Sequence, residues 1–152
     1  MAGNLEIKSV LDLAIGREEE AFRFYSEVSG RVENPGVKEI FDQLAKDELG
    51  HKVFLQACLK DPELASKLPV PTDYKIAEAT AEPSLSIDMK PADALAVAMK
   101  KELGAAEFYQ DLARSASDAT LTAMFENLAR MELGHKSRIE HMFVDIGYPE
   151  VF

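Results

Sequence analysis

The stretch Glu48-Leu49-Gly50-His51 occurs a second time as Glu132-Leu133-Gly134-His135, 84 residues later. The surrounding segments also match: FDQLAKDELGHK at 41–52 and FENLARMELGHK at 125–136 are identical at 8 of 12 positions. Both segments have the apolar periodicity of an amphipathic helix. A Glu and a His three residues apart on a helix share one face, so both can reach one metal ion. The repeat therefore predicts two halves of a metal site.

The helix that precedes each copy repeats at the same offset. AIGREEEAFRFY at 14–25 and AMKKELGAAEFY at 98–109 are identical at 5 of 12 positions. The repeated unit is thus a whole helical hairpin, and no segment has strand periodicity. We predict an all-α protein, an antiparallel four-helix bundle of two pseudo-symmetric hairpins joined by a long crossover.

The length of 152 residues fits one domain covering residues 1–152. The first hairpin is predicted at about 5–60 and the second at about 91–146. Prolines interrupt the periodicity between them, so residues 61–90 are predicted to be the crossover, with a short helical turn after Pro62.

Composition excludes several classes of protein. A net charge of −10 disfavours binding to nucleic acid or to anionic membranes. No apolar run is long enough for a transmembrane helix, and no secretory signal is recognised. Cys58 is the only cysteine, which excludes an internal disulfide and a site built on several cysteines. These features predict a cytoplasmic protein.

Four glutamates fall at positions of the inner stripes where an apolar residue is expected: Glu18, Glu48, Glu102 and Glu132. Ionised carboxylates in a core need cations, and no inward-facing Lys or Arg is evident at their level. Two divalent cations would balance them, with neutral His51 and His135 as further ligands. Oxygen and imidazole ligands suit two iron ions, or manganese, and zinc less distinctively. Two of the four glutamates are expected to bridge the metals, and the sequence leaves open which two.

The neighbouring residues have two interpretations each. Tyr25 and Tyr109 are either hydrogen-bond donors or redox-accessible phenols beside the metals, or core aromatics. Glu19 and Glu20 have no repeated counterparts, which favours a solvated acidic face. His141 is expected at the surface and Cys58 in the core. Gly50 and Gly134 indicate either a close helix–helix approach or simple tolerance.

The chain resembles the rubrerythrin family of ferritin-like di-iron carboxylate proteins over all four helices, residues 5–146. The motifs that carry the resemblance are Glu18-x-x-Ala21-x-x-Phe24-Tyr25, Glu48-x-x-His51, Glu102-x-x-Ala105-x-x-Phe108-Tyr109 and Glu132-x-x-His135. The resemblance implies a non-haem di-iron site, redox chemistry with peroxide or dioxygen, and a homodimer, in some relatives with exchanged helix pairs.

Two departures from the family pattern matter. The chain lacks the four-cysteine rubredoxin domain of full-length rubrerythrins, so a reductase cycle needs an external electron donor such as a rubredoxin-like protein. The family also places a further Glu one turn after the third-helix ligand, where this chain has Ala105. The remaining set of four Glu and two His is similar to the ferroxidase centre of bacterioferritin-like proteins.

These features are consistent with three functions. The first is a di-iron oxidoreductase that reacts with peroxide or dioxygen. The second is a ferroxidase that stores or delivers iron. The third is a non-catalytic helical scaffold stabilised by zinc.

Overall fold

The computed structural model describes the backbone of residues 2–147 and the side chains of residues 6–145. Four long helices form the bundle: α1 (Ala2–Arg31), α2 (Pro35–Lys60), α4 (Pro91–Ser115) and α5 (Ala119–Met142). Between α2 and α4 lie a 3-10 turn (Pro62–Lys67) and the short helix α3 (Ile76–Ala79). No strand occurs within residues 2–147, so the predicted all-helical, ferritin-like bundle is confirmed. None of the helices described combines the length and apolarity that crossing a membrane requires.

The ends of the outer helices differ from the prediction. Helix α1 already begins at Ala2, and α5 ends at Met142 rather than at 146, followed by a π turn from Phe143 to Gly147. The wider turn accompanies burial of the Phe143 ring in the core. From sequence, Gly147-Tyr148-Pro149 is expected to end this helix; Tyr148, Pro149 and the tail at 150–152 lie outside the described residues.

Side chains cap the starts of α2 and α5. The Asn34 carboxamide oxygen accepts hydrogen bonds from the backbone N–H of Gly36 at 2.8 Å and of Val37 at 3.2 Å. Pro35 follows at the first helical position, where its missing N–H costs nothing. Asp118 caps α5 in the same way, through Thr120 and Leu121.

Replacing Asn34 with Ala is expected to lower the free energy of unfolding by about 1 kcal/mol, because two N–H groups lose their acceptor. Asp61 precedes the 3-10 turn without making a side-chain cap, so Asp61→Ala is the matched control and is expected to change stability by less than about 0.5 kcal/mol. Urea unfolding of both variants measures the difference. Equal losses would show that the Asn34 cap contributes nothing specific.

The apolar core is divided into two clusters. One gathers around Tyr25, Phe41 and Leu95. The other gathers around Leu11, Leu55 and Leu128. The glutamates and histidines of the repeated motifs lie between these two clusters. Packed apolar side chains therefore flank the polar groups on both sides along the bundle.

The crossover is fastened to α5 by a buried lysine that the sequence did not reveal. Lys136 Nζ, on a side chain only 1% exposed, lies 2.6 Å from Asp73, 2.9 Å from Glu78 and 3.1 Å from Glu140. The fully buried Glu140 also accepts a hydrogen bond from the Ala77 N–H at 2.8 Å. Asp73, Ala77 and Glu78 belong to the crossover, so one cation ties this segment to the bundle.

The symmetric counterpart of Lys136 has a different environment. Lys52 occupies the same place in the first repeat, but its side chain is 27% exposed and lies 3.6 Å from Glu19 of α1. The crossover covers only the second hairpin at this level. The repeated sequence therefore folds into two halves with similar helices and different surroundings.

The glycines of the repeated motif do not mark a close approach within the chain. A Cβ atom built at Gly50 or Gly134 would meet no heavy atom within 4 Å. Within the chain no close approach occurs at these positions, and a close approach of a partner chain or simple tolerance of glycine stays a prediction.

Candidate metal centre

The four helices bring the six residues of the repeated motifs together at one level of the bundle. The four glutamates are buried, His135 is buried and His51 is half-buried. Each of these six residues occupies a position that helical periodicity predicts to face the inside of the bundle. The structure brings their side chains together, as predicted. The residues that come together are Glu18, Glu48, His51, Glu102, Glu132 and His135.

The two halves have nearly the same geometry. His51 Nδ1 lies 3.6 Å from carboxylate oxygens of both Glu18 and Glu48. His135 Nδ1 lies 3.7 Å from Glu102 and 3.6 Å from Glu132. These separations are too long for hydrogen bonds. They resemble the spacing of ligand atoms around a shared ion, since each metal–ligand bond is about 2 Å long.

Three of these polar atoms have no hydrogen-bond partner although they are buried: His51 Nδ1, His135 Nδ1 and Glu132 Oε1. Buried polar atoms are nearly always satisfied, so such orphans require an explanation. All three belong to the six converging residues. Residues of this cluster offer ligand atoms within 4.8 Å of one another and could hold a metal ion.

The four carboxylates of the cluster are in an environment that disfavours their charge. Burial raises the pKa of all four glutamates, because an ionised carboxylate loses its hydration there. Neighbouring carboxylates raise the pKa of Glu132 further, with Glu102 and Glu18 the main contributors. The fold holds four acids where acids are costly, which is expected of groups selected to bind cations.

The imidazole rings of His51 and His135 stack with their centroids 3.2 Å apart and their planes 8° apart. Burial lowers the pKa of His51, but Glu18 and Glu48 outweigh it and bring the value to about 9. Burial and the neighbouring His51 lower the pKa of His135 to about 3. The parallel rings place the two halves of the site directly beside each other.

A pocket of about 300 Å³ leads to the carboxylates from the side formed by α1 and α4. Small residues, Ala21 on α1 and Gly104 and Ala105 on α4, leave the space open. Glu20 is exposed, as expected of a solvated acidic face, and it also lines the outer part of this pocket.

Two cation–aromatic contacts frame the pocket. The Arg17 guanidinium lies 3.9 Å from the centre of the Phe108 ring, and Lys101 Nζ lies 4.1 Å from the centre of the Phe24 ring. Both pairs join α1 to α4, and they are related by the 84-residue repeat. The sequence offered a signal, since each cation precedes a repeated Glu by one residue, but only the fold shows which ring it meets.

Tyr25 and Tyr109 line the same pocket, and each is 1% exposed. Burial raises the pKa of both phenols, which therefore stay protonated. The Tyr109 hydroxyl has no hydrogen-bond partner among the described residues. The two tyrosines are core aromatics that also border the site, and a role as hydrogen-bond donors or redox-accessible phenols stays a prediction.

The remaining sequence predictions concern residues outside the site. His141 is at the surface, where it lies 3.1 Å from Asp145. Cys58 is buried and free. Glu19 lies at the edge of the bundle beside Arg23 and Lys52.

The sequence of the chain matches a known protein family. The sequence model of the rubrerythrin family matches residues 9–143, which includes all six residues of the cluster. Neither the curated proteins nor the solved structures contain a significant match to this chain.

Proposed function

Since the chain belongs to the rubrerythrin family of di-iron proteins, we propose that its cluster binds two iron ions and reduces a peroxide. The proposed ligands are Glu18, Glu48, His51, Glu102, Glu132 and His135. The observation that carries this proposal is the matched pair of orphaned imidazole nitrogens, each facing two carboxylates at 3.6–3.7 Å.

The residues fit an iron pair by charge and by donor type. Four carboxylates neutralise two ferrous ions, and each half adds one imidazole through Nδ1. Glu48 lies near His51 of its own half and offers an oxygen beside Glu102 and His135 of the other. Glu132 interacts with both Glu18 and Glu102. Glu18 likewise offers an oxygen beside His51 and His135, so carboxylates from both hairpins would be available to each ion.

When bound, two ferrous ions supply the two electrons that split the O–O bond of hydrogen peroxide, which takes up two protons and leaves as two waters. The chain's own contribution is to admit and orient the oxidant. The pocket between α1 and α4 leads to the cluster, and the apolar layers above and below exclude other water. With Cys58 as its only cysteine, the chain relies on a separate electron donor.

Anaerobic loading with ferrous iron, followed by addition of hydrogen peroxide, tests this proposal. We expect two irons per chain, one equivalent of peroxide consumed per pair, and re-reduction by an added rubredoxin-like donor. The appearance of the ferric absorption band gives the rate. Retention of zinc in protein purified from its native host, together with no response to oxidant, would favour the zinc-stabilised scaffold.

The second candidate function is oxidation of iron for storage or delivery. It is favoured by Ala105, which lines the pocket where the family carries an additional carboxylate. A symmetric set of four glutamates and two histidines is similar to a ferroxidase centre. Oxidation by dioxygen that outpaces oxidation by peroxide, with release of ferric iron and turnover on fresh ferrous iron, would favour this function over the first.

Replacing Tyr109 with Phe is expected to leave stability within about 0.5 kcal/mol, or to raise it, because the hydroxyl is buried without a partner. The rate of oxidation by peroxide is expected to fall about tenfold, because the pocket loses a hydrogen-bond donor. Thermal unfolding and stopped-flow absorbance measure the two effects.

The matched comparison is Tyr25→Phe, which makes the same change at the symmetric position. A loss of stability in Tyr109→Phe with an unchanged oxidation rate would show that the Tyr109 hydroxyl serves the core instead of the pocket.

A further inference from the structure

We propose that the pocket between α1 and α4 admits small uncharged alkyl hydroperoxides, with the alkyl group held between Ala21 and Ala105 and the peroxide end beside Tyr109. This inference rests on the proposed function and narrows its substrate class. The size of the pocket, an apolar patch in its lining and the unsatisfied hydroxyl of Tyr109 support it.

The pocket is larger than hydrogen peroxide requires. A water molecule occupies about 30 Å³ in the liquid, so about 300 Å³ corresponds to roughly ten water-sized groups. Hydrogen peroxide is about two water-sized groups, so space for a short branched alkyl group remains.

Two symmetric alanines form an apolar patch in a pocket whose other lining residues are mostly charged. Ala21 and Ala105 occupy equivalent places in the repeat, one turn after Glu18 and Glu102, and both line the pocket. Phe24 adds an apolar surface on the α1 side. Lys101 and Arg17 line the same pocket but lie over aromatic rings, so their charges are engaged there.

A donor for the peroxide oxygen is provided by Tyr109. Its hydroxyl is buried, has no partner among the described residues and belongs to a side chain that lines the pocket. Burial raises the pKa of this phenol, so it keeps its proton and donates. A hydroperoxide whose oxygen accepts this hydrogen bond places its O–O bond close to the carboxylates and its alkyl group toward the alanines.

The first experiment measures binding without redox chemistry. The zinc-loaded protein is titrated with tert-butanol, the alcohol that corresponds to tert-butyl hydroperoxide, and the aromatic resonances of the tyrosines are followed by NMR. We expect saturable shifts of the Tyr109 ring at millimolar concentrations. Ala105→Leu fills the pocket and is expected to weaken this binding at least tenfold.

The second experiment compares two oxidants on the iron-loaded protein. Wild type is expected to react with tert-butyl hydroperoxide within about tenfold of its rate with hydrogen peroxide. Ala105→Leu is expected to lower the tert-butyl rate at least tenfold and the hydrogen peroxide rate less than threefold. Ala113→Leu makes the same change on the same helix, at a half-buried position that does not line this pocket, and is expected to leave the ratio unchanged.

The results separate this inference from the proposed function. Oxidation by hydrogen peroxide without alcohol binding or reaction with the alkyl hydroperoxide would overturn the inference and leave the proposed function standing. Alcohol binding that is lost in Ala105→Leu supports the assignment of the pocket. If neither peroxide oxidises the iron, the proposed function is refuted, whether or not the alcohol binds. Equal ratios in Ala105→Leu and Ala113→Leu would also overturn the inference.

Discussion

The double variant Glu48→Gln/Glu132→Gln is expected to bind no metal pair and yet to be more stable than the wild type when both are free of metal. Each Gln keeps the shape of the side chain but removes one of the charges that face each other across the cluster. Burial and like charges raise the pKa of both glutamates, so at neutral pH their ionisation opposes folding. The gain is expected to be about 1–3 kcal/mol, since the amides also donate hydrogen bonds to the remaining carboxylates.

Added ferrous iron should reverse the order of stability. A ligand at a thousand times its Kd stabilises the folded state by about 4 kcal/mol per site, and only the wild type keeps its sites. Thermal unfolding with and without metal, together with metal analysis, measures both effects. Glu39→Gln/Glu126→Gln is the matched control, with one exposed glutamate on each of α2 and α5. Two metals per chain in the Glu48/Glu132 variant would refute the ligand assignment.

Replacing Lys136 with Met is expected to lower the free energy of unfolding by about 3–5 kcal/mol. Lys136 and Glu140 form a buried ion pair, and removal of one partner leaves the other charge buried and uncompensated, whereas Asp73 and Glu78 are partly exposed to solvent. Here the ammonium group is the common partner of Asp73, Glu78 and the fully buried Glu140. We expect the crossover to detach from α5 before the bundle unfolds, so hydrogen exchange of the Ala77 amide, which donates to Glu140, should accelerate first.

Two further variants isolate the charge effect. Lys52→Met changes the symmetric lysine, whose side chain is 27% exposed, and is expected to cost less than about 1 kcal/mol. Glu140→Gln added to Lys136→Met removes the most deeply buried uncompensated charge and should restore at least a third of the lost stability. If Lys136→Met and Lys52→Met lower the free energy of unfolding by the same amount, the ion pairs of Lys136 do not hold the crossover on α5.

The four long helices and the six converging residues were predictable because both depend on local periodicity. A glutamate at position 18 of an apolar stripe and its copy at position 102 must enter the same layer once the hairpins pair. The repeat then removed the ambiguity that a lone Glu-x-x-His motif leaves. For this reason, the helical periodicity of the sequence alone predicts the cluster of six residues that the structure shows.

The environment of Lys136 was not predictable in this way. Its sequence context is that of Lys52, and nothing within either helix distinguishes the two. The difference comes from the crossover, whose irregular backbone follows no period, and from pairings such as Lys136 with Asp73, 63 residues away.

The paired contacts of Arg17 with Phe108 and Lys101 with Phe24 are weak enough to break and re-form while the helices stay in place. Cation–aromatic contacts near the surface are worth about 0.5–1 kcal/mol each, so both are broken at once in about 2–9% of molecules. Long side chains reorient within picoseconds to nanoseconds. Rotation of these two side chains widens the entrance without helix movement, and it is many orders of magnitude faster than a typical enzyme turnover of about 10 per second.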